Sequence, residues 1–160
     1  MLSRYLYTIN QEYGLRLASF QSGKMHNAIP RDGQIVFAVK AEDKEAVKTA
    51  WNKFFEDVKE EFHVTDTNIV NNIEDTTATP AIEKAVADMI ILALQAVDNG
   101  IYTMCQDEAL EWLVETSSNI ASVATDEKEM NIVASQRSNV SSNLKNMANT
   151  VRATFQLAGA

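Results

Sequence analysis

The sequence predicts an α+β fold in which helices pack on one face of an antiparallel sheet. Segments with apolar residues at helical spacing are interspersed with shorter segments in which apolar and polar residues alternate. The order helix, strand, strand, helix occurs twice, although the two halves differ too much in residue identity to be a sequence repeat. Ser117, Ser118 and Asn119 fall inside a predicted strand, where a sheet covered on both faces would be apolar. We therefore expect one face of the sheet to be open.

The first half contains two predicted helices and two predicted strands. A helix is expected from residue 2 to Gly14, which is a typical helix stop. Strands follow over residues 15–21 and 34–40, and a long helix covers residues 43–62. A further short strand is expected over residues 67–75. The residues predicted to face the core are Leu2, Tyr5, Leu6, Ile9 and Tyr13 of the first helix and Val47, Ala50, Trp51, Phe54, Val58 and Phe62 of the second.

The second half repeats this order. Thr79 is the predicted cap of a helix with Pro80 in its first turn, and Asn99 and Gly100 end that helix. After an irregular segment, strands are expected over residues 113–125 and 130–138, joined by a turn at 126–128. A final helix covers residues 142–157. The predicted inward residues are Ile82, Ala85, Val86, Met89, Ile90, Ala93 and Val97, followed by Leu144, Met147, Val151 and Phe155.

Charge and composition exclude several classes of function. The net charge of −8 argues against binding to nucleic acid or to an anionic membrane, because basic residues do not cluster. No apolar run approaches the roughly 20 residues that span a bilayer, and no export signal is recognisable. The single cysteine, Cys105, fits a reducing cytoplasm, and we interpret it as a small core or loop residue. Glycine-rich phosphate loops and serine nucleophile motifs are missing.

The segment between the first two strands is the strongest candidate for ligand binding. Pro30 fixes its own φ and favours an extended Ile29, so the preceding backbone should be firmly posed. The amide of Asn27, beside His26 and Arg31, could meet a carbonyl or a carboxylate. An ordinary surface hairpin is the alternative interpretation.

The sequence cannot supply a two-zinc site by itself. Such a site needs several His and carboxylate ligands, and His26 and His63 are the only histidines. His63 follows two glutamates at the predicted end of a helix, which is typical of a solvated helix end. The chain opens inside a helical pattern without a capping residue, so we expect it to be a segment of a longer polypeptide.

Four segments, in order along the chain, carry a resemblance to a known family. Residues 14–31, GLRLASFQSGKMHNAIPR, resemble the corresponding part of bacterial aminoacyl-histidine dipeptidases, which are carnosinase-like Xaa-His dipeptidases of the cytosol. The other three segments are LVETSSNI at 113–120, SQRS at 135–138 and LAGA at 157–160. The resemblance therefore covers nearly the whole chain.

The resemblance implies a specific role. These enzymes are zinc metallopeptidases of the group that includes carboxypeptidase G and acetylornithine deacetylase, with a two-metal catalytic domain and an inserted lid or dimerisation domain. Residues 1–160 look like most of that lid, with a ferredoxin-like fold, and the catalytic zinc domain is absent from this chain. The family's substrate-binding lid residues match Asn27 and Arg137, with His26 beside them, while a further lid histidine would lie upstream of Met1. The implied partners are a dipeptide, the catalytic domain and a second copy in a homodimer, and the isolated segment is expected to be inactive.

Elementary chemistry agrees with the two matched residues. Arg137 can hold a carboxylate through two parallel hydrogen bonds, and Asn27 can donate to a carbonyl or tetrahedral oxygen. From spacing alone, Arg137 could equally be an exposed charge. A different class of protein also remains open at this point, namely a free-standing α+β module that dimerises or binds a small ligand without catalysis.

Overall fold

An antiparallel sheet with helices packed against it forms the core of the structure, as the sequence predicts. The computed structural model describes residues 1–77 and 79–160, so Ala78, in the predicted helix entry, lies outside the described residues. Within those ranges the chain forms four α-helices and five strands. In chain order they are α1 (Leu2–Tyr13), β1 (Arg16–Ser22), β2 (Gly33–Ala38), α2 (Lys44–Glu61), α3 (Lys84–Ala96), β3 (Gly100–Met104), β4 (Val114–Thr125), β5 (Met130–Ser138) and α4 (Ser141–Leu157).

Strand β4 organises the sheet. Strand β5 pairs with β4 from Thr116 to Thr125, along one edge. The other edge of β4 is shared by two strands, because β3 pairs near its beginning and β1 pairs only at Val123 and Ala124. Between these two strands, the backbone N–H of Ile120 donates to the side-chain oxygen of Asn99 over 2.8 Å. Strand β2 continues the sheet beyond β1.

The main core lies between the sheet and helices α1, α2 and α3. Tyr5 and Leu6 of α1 are buried there, together with Leu17 of β1 and Ile91 of α3. The Tyr5 hydroxyl donates to the backbone oxygen of Val47 over 3.0 Å, which ties α1 to α2. This burial raises the pKa of Tyr5. The predicted inward face of the first helix is therefore confirmed.

Helix α3 departs from the prediction in its start and its orientation. It begins at Lys84, and the Glu83 carboxylate accepts the N–H groups of Ala85 and Val86, so Thr79 and Pro80 do not form the helix entry. Val86 and Met89, which were expected to face inward, are about half exposed at 49% and 46%. The helix is apolar on nearly every side, and such a helix carries no pattern that identifies its inner face.

Three smaller expectations are also wrong. Residues 67–75 form no strand, although Asp75 makes ion pairs with Lys44 and Lys48 of α2. The segment after Asn99, expected to be irregular, contains β3. Ser118, expected on an open face, is buried on the side of the helices.

Candidate functional site

The loop between β1 and β2, residues 23–32, lies against the sheet. Its ends are held together because the Ser22 hydroxyl and the Gly23 N–H both donate to the backbone oxygen of Asp32, over 2.9 and 3.4 Å. Gly23 has a φ of +68°, and a Cβ built on it would lie 2.1 Å from the backbone oxygen of Ala121 in β4. Only glycine permits this close crossing of the loop over the strand.

The strand alternation shows which face of the sheet meets the loop. Thr116 and Ser118 of β4 are buried, and helix α4 packs on β4 and β5. Successive side chains of a strand point to opposite faces, so Ser117 and Asn119 point away from the helices. Arg137 is the β5 partner of Ser117 and lies on the same face. The loop and Arg137 therefore meet on the face that the helices leave uncovered.

Two side chains of this face hold consecutive carbonyl groups of the loop. Arg137 Nη2 donates to the backbone oxygen of Asn27 over 3.3 Å. Asn119 Nδ2 donates to the backbone oxygen of Ala28 over 2.9 Å. The structure thus brings together Asn27 and Arg137, which are 110 positions apart in the chain. We call Asn27, Asn119 and Arg137 the loop–sheet site.

The side chains of the loop itself are largely exposed. Met25 and Ile29 are exposed by 59% and 79%, and His26 is exposed in the turn just before Asn27. Arg137 is also exposed, and among residues 1–77 and 79–160 no Asp or Glu forms an ion pair with it. A guanidinium carries five N–H donors, so the contact with Asn27 leaves others for a ligand carboxylate.

A polar cluster beside the site was not anticipated. Glu115 Oε1 accepts hydrogen bonds from Asn143 of α4 over 2.8 Å, from Thr103 of β3 over 3.0 Å and from Thr116 over 3.1 Å. The bonds from Asn143 and Thr103 lower the pKa of Glu115. Thr116 is also within 2.8 Å of the Ser138 hydroxyl. This cluster joins β3, β4, β5 and the start of α4, and the resemblance at residues 113–120 did not reveal this role.

The remaining candidates are not part of the site. His63 lies at the exposed end of α2, with Nδ1 2.6 Å from the backbone oxygen of Glu60, and Cys105 is half-buried after β3. In the part of the chain that the structure describes, no group of three or more His, Cys, Asp or Glu side chains is placed to hold a metal ion. None of the described helices combines the length and apolar character needed to cross a membrane.

The fold is similar to that of a segment of known dipeptidases. The crystal structure of aminoacylhistidine dipeptidase from Vibrio alginolyticus superposes on 99% of this chain with a TM-score of 0.92 and 30% sequence identity, and the match takes up 32% of that protein. The cytosol non-specific dipeptidase of Escherichia coli (strain K12) is 28% identical over 161 residues, which is 100% of this chain and 33% of that enzyme. No model of a known protein family matches the chain.

These similarities confirm the recognised resemblance. Both dipeptidases are homologues of the chain, and the chain spans about a third of the length of each. The α+β antiparallel architecture expected from the sequence is the architecture of the matched segment.

Proposed function

We propose that this chain is the substrate-clamping lid and dimerisation segment of a cytosolic zinc metallodipeptidase that hydrolyses Xaa-His and related dipeptides. The single observation that carries the proposal is the hydrogen bond from Arg137 to the backbone oxygen of Asn27, because it supports a joint action of the two expected substrate ligands at one uncovered face. The homologues support the reaction class, since one is named an aminoacylhistidine dipeptidase and the other a cytosol non-specific dipeptidase. The name of the second supports the cytosolic location.

The clamp acts by position and charge. Arg137 holds the terminal carboxylate of the dipeptide with the N–H groups that do not contact the loop. The side-chain amide of Asn27 donates to the carbonyl oxygen that becomes the tetrahedral oxygen during hydrolysis. Holding the terminal carboxylate and the reacting carbonyl at the same time orients the substrate and lowers the entropy lost at the transition state. His26, exposed beside Asn27, borders the substrate site in this proposal.

Among the residues that the structure describes, no group is placed to hold zinc. His26 and His63 belong to no cluster of possible metal ligands in the described ranges, and the residues present do not fit a two-metal site. The proposal assigns the metals and the hydrolytic chemistry to the rest of the polypeptide. No role of Asn27 or Arg137 passes through the metal, and the chain by itself is proposed to be inactive.

Substitutions in the intact enzyme test the clamp. Arg137→Ala should affect KM for dipeptides more than kcat and should raise it, because the substitution removes the guanidinium that binds the substrate carboxylate. Asn27→Ala should lower kcat by about 10²- to 10³-fold, the effect of losing one donor to a tetrahedral oxygen. Arg152→Ala and Asn131→Ala are matched controls, because both residues are exposed and lie outside the loop–sheet site. Unchanged kinetics of both site variants, with a normal circular dichroism spectrum, would refute the clamp.

The dimer is supported by apolar side chains near an edge strand. Ile101 and Tyr102 of β3 and the nearby Trp112 are exposed by 64%, 55% and 72%. An edge strand with exposed apolar residues is a typical pairing surface for a second copy. Light scattering on the intact enzyme should give twice the mass of one chain, and Tyr102→Lys should shift the mass toward the monomer. A monomeric wild-type enzyme would contradict the dimer and leave the clamp proposal standing.

A further inference from the structure

The position of residues 23–32 depends on polar contacts more than on apolar packing. The large apolar side chains Met25 and Ile29 are exposed, so they do not fix the loop to the sheet. The turn inside the loop is closed by a long hydrogen bond, from Ala28 N to Met25 O over 3.5 Å. The hydrogen bonds from Asn119 and Arg137 therefore carry much of the positioning between Gly23 and Asp32.

The two anchors are not equivalent. Arg137 is a long, exposed side chain with a hydrogen bond of 3.3 Å, and it is also the proposed ligand of the substrate carboxylate. Asn119 has a short, half-buried side chain and a hydrogen bond of 2.9 Å. It lies on β4, which is hydrogen-bonded on both edges here. Strand β5 pairs along one edge, and on the other edge the side chain of Asn99 accepts the N–H of Ile120. A short side chain on a strand that is hydrogen-bonded along both edges loses little conformational entropy when it makes a hydrogen bond.

We propose that Asn119 is a positioning residue for catalysis, which keeps the side chain of Asn27 in place while Arg137 turns its donors to the substrate. The inference rests on the proposed function and extends it to a third residue, which touches the loop backbone and not the substrate. If Arg137 alone held the loop, the substrate carboxylate would compete with the backbone oxygen of Asn27 for the N–H groups of Arg137. A separate anchor at the adjacent carbonyl removes that competition, because Ala28 stays fixed whichever partner Arg137 has.

Two substitutions remove the anchor in different ways. Asn119→Ala deletes the amide, and Asn119→Asp keeps the shape of the side chain while replacing its N–H donors by an acceptor. Ser117→Ala is the matched control, since Ser117 lies on the same face of β4 two residues away and makes no hydrogen bond to the loop among the described residues. Thermal unfolding and circular dichroism first establish that each variant of the intact enzyme is folded.

Limited proteolysis measures the loop without reference to activity. Lys24 lies in the loop with its side chain 84% exposed, so trypsin reports how often the loop leaves the sheet. Cleavage after Lys24 should accelerate about fivefold in both Asn119 variants, as expected for the loss of one net hydrogen bond from an opening equilibrium. Ser117→Ala should cleave at the wild-type rate. Wild-type cleavage in folded Asn119 variants would overturn the proposal.

Steady-state kinetics with a dipeptide then separate positioning from general destabilisation. Asn119→Ala should lower kcat about five- to tenfold with little change in KM, because it acts through Asn27 and leaves Arg137 in place. In an Asn27→Ala background the same change should have no further effect on kcat, whereas independent effects would multiply. An Asn119→Ala enzyme with wild-type kcat, or full multiplication in the double variant, would overturn the inference while an impaired Asn27→Ala enzyme preserves the clamp. An Asn27→Ala enzyme of normal kcat would instead refute the proposed function, and this inference with it.

Discussion

Two glycines with nearly the same backbone conformation permit a test of how the loop is seated. Gly14 ends α1 with a φ of +67°, and Gly23 begins the loop with a φ of +68°. A Cβ on Gly14 would meet no heavy atom within 4 Å, whereas a Cβ on Gly23 would lie 2.1 Å from the backbone oxygen of Ala121. The pair therefore separates the effect of backbone strain from the effect of the close crossing.

The expected magnitudes follow from this difference. Alanine at either position adopts a left-handed conformation, which costs about 1 to 2 kcal/mol. At Gly23 the loop must also move by roughly 1 Å, relative to β4, to restore normal contact with the backbone oxygen of Ala121. Overpacking of this kind typically adds about 1 to 3 kcal/mol. The same shift would stretch the 2.9 Å bond from Asn119 to Ala28 beyond a useful length.

Urea denaturation of the wild type and of the two variants measures these terms. We expect Gly14→Ala to lower the free energy of unfolding by about 1 to 2 kcal/mol, and Gly23→Ala to lower it by at least about 1 kcal/mol more. Only Gly23→Ala should also accelerate tryptic cleavage after Lys24. Equal losses of stability in the two variants would show that the loop accepts a methyl group without a clash with β4. That result would refute this account of how the loop packs on β4.

Two further predictions concern the framework around the site. Hydrogen bonds, first from Asn143 and then from Thr103, lower the pKa of Glu115, so its stabilising contribution is present above the ordinary glutamate pKa and is lost as the pH falls through the folded-state value. Glu115→Gln should therefore be less stable than the wild type at pH 7 in urea denaturation, with a flatter loss of stability in acid; parallel acid profiles would contradict this. Leu6→Ala, at a fully buried position, should lose about 2 to 5 kcal/mol, while Leu157→Ala at an 88% exposed position should change stability by less than about 0.5 kcal/mol.

The elements were predicted closely where the sequence has a clear hydrophobic periodicity or a residue that typically ends a helix. Gly14 ends α1, and the predicted strand over 130–138 is the observed β5. The prediction failed where periodicity was weak. Strand β3 has only five residues and begins at the glycine of an Asn-Gly pair, which resembles a simple helix stop. Helix α3 has apolar residues on its outer side as well. Short strands and uniformly apolar helices leave no distinctive spacing to detect.

Two residues of the candidate site were expected from the sequence: the pattern of the loop indicated Asn27, and the family resemblance indicated both Asn27 and Arg137. The proximity of Asn27 and Arg137 depends on the register between β4 and β5 and on the close crossing at Gly23. Neither feature can be deduced from the local spacing of residues. Asn119 was noticed only as a polar residue in a strand. Asn119 contacts a backbone carbonyl, which any residue type at position 28 would provide. The contact therefore leaves no complementary pair of side chains that could be detected in the sequence.

The loop–sheet site also explains why a lid of this kind would need β4 at its centre. Strand β4 receives β5 with Arg137 on one edge and β1, which carries the loop, on the other, so the two proposed substrate ligands arrive from opposite sides of one strand. Their separation depends on the spacing between strands and on the contacts that hold the loop against β4 and β5. Strand β1 forms only two ladder pairs with β4, and Phe20 and Gln21 add hydrogen bonds to Thr125, so the contacts of the loop with β4 extend a short junction. A substitution that loosens the loop should therefore weaken the joint between the two halves of the chain as well as the clamp.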